Sequence, residues 1–204
     1  MKKKINNNGF DYADLGLPSG ALWATMNVGA SKPSGYGLYF QWGDTIGYTK
    51  DQVGKDKQFN FADYKWNSSG DGEEFTKYEN IGDTLDLDDD AAHVNMGGDW
   101  HMPTPAQIQE LLDGTTRTWT TSDGISGVTF TSNKDDSKFI FIPAAGNAFG
   151  SSINFSGNYG NVWSSMLSTN GIYLGYNLCF DSKGAILGSY GSRFYGFSVR
   201  GVIG

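Results

Sequence analysis

Few side chains in this sequence carry chemistry of their own, and their spacing decides how far each can go. His93 and His101 lie eight residues apart, either side of a "GGDW" turn. Paired histidine ligands on one helix face need a spacing of four, so these two do not form such a site. Asp86, Asp88, Asp89 and Asp90 would suit a hard cation, because calcium takes several carboxylate oxygens. The run lacks the glycine and distal glutamate of an EF-hand loop, and capping of a following helix accounts for two of its members. Glu73, Glu74, Glu79 and Glu110 offer carboxylates for glycoside hydrolysis but single out no pair. No G-x-S-x-G elbow accompanies the serines, and "GYG" and "GNYG" are ordinary turn sequences rather than phosphate cradles. Cys179 is the only cysteine, which excludes an intrachain disulfide and a zinc site built on cysteines. The residues therefore point to no catalytic centre, no metal and no cofactor, and the expectation is a protein that is not an enzyme.

Composition points elsewhere. From Ser168 to Tyr195 there is no Trp, Glu, Gln, His or Pro, and the only charges are Asp181, Lys183 and Arg193. Tyr, Ser, Gly and Asn fill the stretch instead. Antibody paratopes use that mixture, since tyrosine supplies wide amphipathic contact at low entropic cost while the small polar residues adapt their hydrogen bonds. The plainer reading is that Tyr and Gly simply populate turns and half-buried strands.

The elements that must position this stretch are short. With 29 glycines and 38% hydrophobic residues in 204, the chain suits one core and many turns. "DLDDDAAHVN" predicts a short helix capped by an aspartate, with Ala91, Ala92 and Val94 as its apolar side. "TPAQIQELLDG" predicts a second: Thr104 caps, Pro105 takes the first position, Gln107 completes a capping box and Gly114 stops the helix. Ile108, Leu111 and Leu112 should face the core. The period then changes to two, and "RTWTT", "GVTFTS" and "KFIFIPAAG" predict a meander joined by "SDGIS" and "NKDD". "NVWSS", "YNLCF" and "FSVRGV" share the alternation. Residues 45 to 83 read as a long surface excursion held down by Phe59, Phe61, Tyr64 and Trp66.

The net charge is −7, and nine acidic residues between Asp71 and Asp90 meet only Lys77. That distribution repels phosphate backbones, so no nucleic-acid partner is expected. After "MKKK" no apolar segment of a signal peptide follows, and no run is long enough to span a bilayer. The expectation is a chain with no signal peptide and no membrane insertion.

"ALWATMNVGA", "YGLYFQWGDT", "DDAAHVNMGGDWHMPTPAQIQELL", "FIFIPAAG", "VWSS" and "YGFSVRGV" together resemble the bacterial C-type-lectin-like domains of the Fibrobacter major paralogous type. The tail is similar to variable proteins diversified by retroelements in gut Bacteroides and their bacteriophages. Met26 and Gly201 stand where such domains often carry cysteine and proline. The "EPN" and "QPD" motifs of calcium-dependent sugar binding are absent, so that activity is not carried over. The cysteine pair of the similarly folded formylglycine-generating enzymes is absent too. The resemblance implies an α+β, C-type lectin-like fold: two short helices, antiparallel strands and long irregular loops. It implies a flexible N terminus over 1–13 and a single domain over 14–204, with a variable region at about 158–200. The resemblance further implies adenine-directed mutation of asparagine codons, which would generate Tyr, Ser, Gly, Asp, Phe, Leu, Ile and Cys but not Trp, Glu, Gln, Lys or Met; the composition of the stretch agrees with this, with Lys183 as a fixed position. The implied function is ligand or receptor recognition, toward a protein or glycan on a cell surface. Display on a virion or bacterial cell surface, in multiple copies, would add avidity. The alternative is a fixed adhesin or scaffold of the same fold.

Strand parity sorts the variable stretch. Tyr176, Leu178 and Phe180 are assigned to the core face, which turns Asn177, Cys179 and Asp181 outward. Phe197 and Val199 should point inward over Trp163, and "SYGSRFY" should be exposed. The expected ligand-contacting set is Tyr159, Asn161, Tyr173, Asn177, Cys179, Asp181, Ser189, Tyr190, Ser192, Phe194 and Tyr195.

Overall fold

A computed structural model describes residues 6–69 and 74–204. Its regular elements are mostly antiparallel strands in small sheets, with two short helices, an α+β arrangement. Within the stretch expected as a flexible N terminus, residues 1–5 lie outside the described residues. Asn6–Asn7 (β1) and Phe10–Asp14 (β2) are strands instead, pairing through Leu22–Ala24 (β3) with Val202–Ile203 (β12). β12 thus joins the sheet begun by β1, β2 and β3.

Both helices begin where local chemistry dictates. Asp90 accepts from the His93 amide at 2.9 Å and opens Ala91–Met96 (α1). Ala91 and Ala92 are buried, but Val94 is 50% exposed and Met96 takes the inward place expected for it. Thr104 and Gln107 form both halves of a capping box on Pro105–Gly114 (α2). Ile108 and Leu111 are fully buried; Leu112 is only half-buried. Gly114 does not end the helix through a left-handed turn. The chain passes directly into Thr115–Ser122 (β4), and a Cβ on Gly114 would lie 2.6 Å from Leu17 Cδ2, so close packing explains the glycine.

β4 pairs with Ile125–Ser132 (β5), and β5 with Phe139–Pro143 (β6), as the alternation predicts. The tight turn uses Asp123 and Gly124 at φ 49° and 79°, the left-handed pair that matches strand twist in a two-residue hairpin. Asn147–Phe149 (β7) and Ser152–Asn154 (β8) form a small hairpin. Tyr159–Leu167 (β9), Leu174–Asp181 (β10) and Gly184–Ser192 (β11) form a three-stranded sheet with β10 in the centre. β11 was hidden in the sequence, because "GAILGSYGS" reads as linker.

One face of this sheet is core. Val162, Leu178, Phe180 and Ala185 pack with Ile108 and Leu111 of α2 and with Val128, Phe130 and Ile142 of the meander. The other face is covered at one end only. There Trp163 stacks on Phe197 at 4.1 Å, and its indole donates to the Phe40 carbonyl. Phe197 and Val199 are buried as expected, but "FSVRGV" is not a continuous strand; it is held by isolated bridges, Phe197 to Phe40 and Ser198 to Val162. In the excursion over 45–83, Phe59, Tyr64 and Trp66 are buried and Phe61 half-buried, joined inside by Phe75 and Tyr78.

Candidate functional site

Register decides which variable-stretch residues meet. Cys179 lies opposite Asn161 on β9 and Ile186 on β11; Asp181 lies opposite Tyr159 and Gly184. Directly opposed residues share a face, so Tyr159, Asn161, Cys179, Asp181 and Ile186 all stand on the face away from the α2 core. Asn177 joins them, and its amide donates to Asn161 Oδ1 at 2.9 Å. Tyr176 departs from expectation. The register shifts between Gly175 and Asn177, a bulge that takes Tyr176 off the core face; it is half-buried, its hydroxyl 2.9 Å from the exposed Thr169 hydroxyl.

The uncovered part of the face holds a depression of about 250 Å³. Asn161, Asn177 and Cys179, 5%, 3% and 9% exposed, form its floor. Tyr159, Ser189, Tyr190 and Tyr195 complete the expected members that line it, with Ile186, Gly188, Gly191 and Phe197 added. Tyr190 is 75% exposed and stands at the rim. The two glycines keep the space open: a Cβ on Gly188 would sit 2.7 Å from Cys179 Sγ, and one on Gly191 2.8 Å from the Trp163 ring.

Two more depressions adjoin it through shared residues. One, about 490 Å³, shares Tyr159, Cys179 and Ile186 and runs to Asp181, Lys183 and Arg117. The other, about 280 Å³, shares Tyr159, Asn161, Tyr195 and Phe197 and ends at Phe149 of β7 and at Phe155, the residue after β8. Tyr159 borders all three, so together they make one groove across the sheet.

The centre of the groove is uncharged. Burial raises the Tyr159 hydroxyl above the ordinary tyrosine range, and its hydrogen bond to Cys179 raises it further. Burial likewise pushes the Cys179 thiol up, only partly offset by hydrogen bonds with Tyr159 and Asn177. Both groups stay protonated at neutral pH, so this region offers hydrogen-bond donors, amides and ring faces to a ligand.

Four expected site residues lie outside the central depression. Asp181 borders the Arg117 end. Tyr173 is 47% exposed but apart, and Ser192 is half-buried where β11 ends. Phe194 is 7% exposed and packs on Phe61 at 3.8 Å, so it supports the surface from below. "SYGSRFY" is therefore not exposed throughout. Arg193 within it is fully buried, ringed by Phe75, Trp42 and Tyr64, and donates to Tyr64 Oη and to the carbonyls of Lys77, Tyr78 and Ile172.

Three of the four aspartates considered for a cation are engaged by protein partners: Asp86 pairs with Lys77 at 2.6 Å, and Asp89 and Asp90 are bonded within the fold. Asp89 accepts from Lys65, Lys77 and Tyr78; burial alone would raise its carboxyl, but these bonds hold it below the usual range. Asp90 caps α1 and also accepts from the Met102 amide. Of the glutamates weighed for hydrolysis, Glu73 lies outside the described residues. Among the described residues, no group of three His, Cys, Asp or Glu side chains is placed to hold a metal ion, and no helix is long and apolar enough to cross a membrane.

No family model matches this chain, and neither a curated protein nor a solved structure does.

Proposed function

We propose that this chain is a ligand-recognition module: a C-type-lectin-like scaffold that displays a diversified, tyrosine-rich surface. The observation that carries the reading is the meeting of seven expected residues in one depression. Six of them come from three strands and Tyr195 from the segment just after β11, and the sheet beneath them is packed on its other face. A rigid sheet with an open, aromatic face suits replaceable side chains, because the backbone is fixed by residues that do not contact the ligand. The lectin-like assignment rests on the ordered sequence motifs and is compatible with short helices, antiparallel strands and long loops. The partner is a protein or glycan on a cell surface, met by copies displayed on a virion or a bacterial cell.

The second reading, a fixed adhesin of the same fold, draws support from the buried Asn161–Asn177 amide pair and from Phe194, positions with little freedom to vary.

The test is binding of fluorescently labelled protein to a panel of bacterial cells, with wild type compared to the triple variant Tyr159→Ala, Tyr190→Ala, Tyr195→Ala. Loss of three aromatic contacts should weaken binding at least tenfold, with the melting temperature of the triple variant showing that the fold persists. Unchanged binding by a folded triple variant would overturn the proposal.

A further inference from the structure

The groove has two unlike ends. On one side of Tyr159 lie Phe149 at the end of β7, 47% exposed, and Phe155 just after β8, 67% exposed. On the other lie Arg117 and Lys183, both exposed. Arg117 is aimed by its own bond, Nη1 donating to the Ala185 carbonyl at 2.6 Å, which leaves the rest of its planar fork unspent. Among the described residues, neither cation has a carboxylate within 4.0 Å. Asp181, the one acid at that end, turns Oδ1 back onto the amides of Lys183 and Gly184. On a chain of net charge −7, this end is locally cationic, whereas the opposite end is aromatic.

We infer that the groove takes an extended peptide segment of a protein partner, with an apolar or aromatic side chain laid against Phe155 and the Phe149–Tyr195 pair, whose rings meet edge to face at 5.2 Å, and an acidic residue at Arg117 and Lys183. The inference rests on the ligand-recognition reading and gives it a direction and a chemistry. Three strands at about 4.8 Å spacing put the outer two about 10 Å apart, the length of roughly three extended residues. Arg117, Phe149 and Phe155 all lie outside the stretch at about 158–200, so they form a constant frame around replaceable residues. The frame fixes the orientation of the ligand while the tyrosines set its identity.

The experiment is a titration of the isotope-labelled full chain, followed by amide chemical shifts. The probes are the capped tripeptides Ac-Phe-Ala-Glu-NH2, Ac-Phe-Ala-Gln-NH2 and Ac-Phe-Ala-Lys-NH2, with methyl α-mannopyranoside as the glycan probe. The glutamate peptide should shift amides of Tyr159, Ile186 and Phe155 and bind about fivefold tighter than the glutamine peptide, as two exposed ion pairs would supply. The lysine peptide should bind weakest. Lys183→Gln, and separately Arg117→Gln, should each remove part of the preference, and raising salt should do the same. Equal binding of the three peptides, or groove shifts from the pyranoside alone, would overturn the inferred chemistry while leaving a ligand-binding groove. Absence of groove shifts with every probe would count against the ligand-recognition reading as well.

Discussion

Arg193 carries a positive charge into the interior with aromatic rings and carbonyl oxygens around it. Its guanidinium lies 4.0 Å from the Phe75 ring centre and meets four protein acceptors. Burial lowers its pKa, and the neighbouring Tyr64 hydroxyl partly compensates. One side chain thereby ties the end of β11 to Tyr64, to Lys77 and Tyr78, and to Ile172. Arg193→Met would preserve volume but strand buried acceptors, each costing about 1–3 kcal/mol. The expected result in urea denaturation is a loss of about 3 kcal/mol; a change under 0.5 kcal/mol would mean the cage is not a clamp. Arg200 is buried in the same manner, with bonds to Asn27 and to the carbonyls of Ala24 and Phe141. Neither role was legible in the sequence. An arginine flanked by serine and phenylalanine reads as exposed, and the acceptors that solvate it come from residues more than twenty positions away.

At the scale of elements, legibility followed locality. The caps at Asp90 and Thr104, the Asp123–Gly124 turn and the inward Leu178 and Phe180 are set by neighbours in sequence, and all were readable there. Tyr176 was misassigned because a bulge is a property of a strand pair, not of one strand. β11 was missed because its apolar members are spaced among glycines and serines, although Ile186, in register with Cys179, keeps the period of two. The glycines in β11 carry a direct test. A methyl group at Gly188 would meet Cys179 and the Asn177 side chain within 3 Å, whereas Gly184 on the same strand has open space. Gly188→Ala should cost about 1–3 kcal/mol in thermal or chemical unfolding and narrow the depression. Gly184→Ala should fall within about 0.5 kcal/mol of wild type. Equal effects would mean that Gly188 is not what holds the floor open.

For the whole molecule, the division of labour between the two faces of the β9–β10–β11 sheet is the central point. One face is welded to α2 and the meander, and a second core built on Trp42, Trp100 and Trp163 covers part of the other. What remains open is a groove whose residues belong largely to one stretch of sequence. The compositional bias of that stretch and its outward parity were visible from the chain alone. Its limits were not, because Phe149, Phe155 and Arg117 join the groove only through folding. The measurement that tests this account most directly is sequencing of the DNA flanking the gene, together with the gene itself in many clones. The account predicts a near-copy of codons 158 to 200 beside a reverse transcriptase, with clonal differences at adenines. Those differences should fall on groove positions such as Tyr159, Ser189, Tyr190 and Tyr195 and spare Trp163, Leu178, Phe180 and Arg193. Invariance of these codons across clones, with no such copy nearby, would contradict diversification and leave a fixed adhesin as the better account.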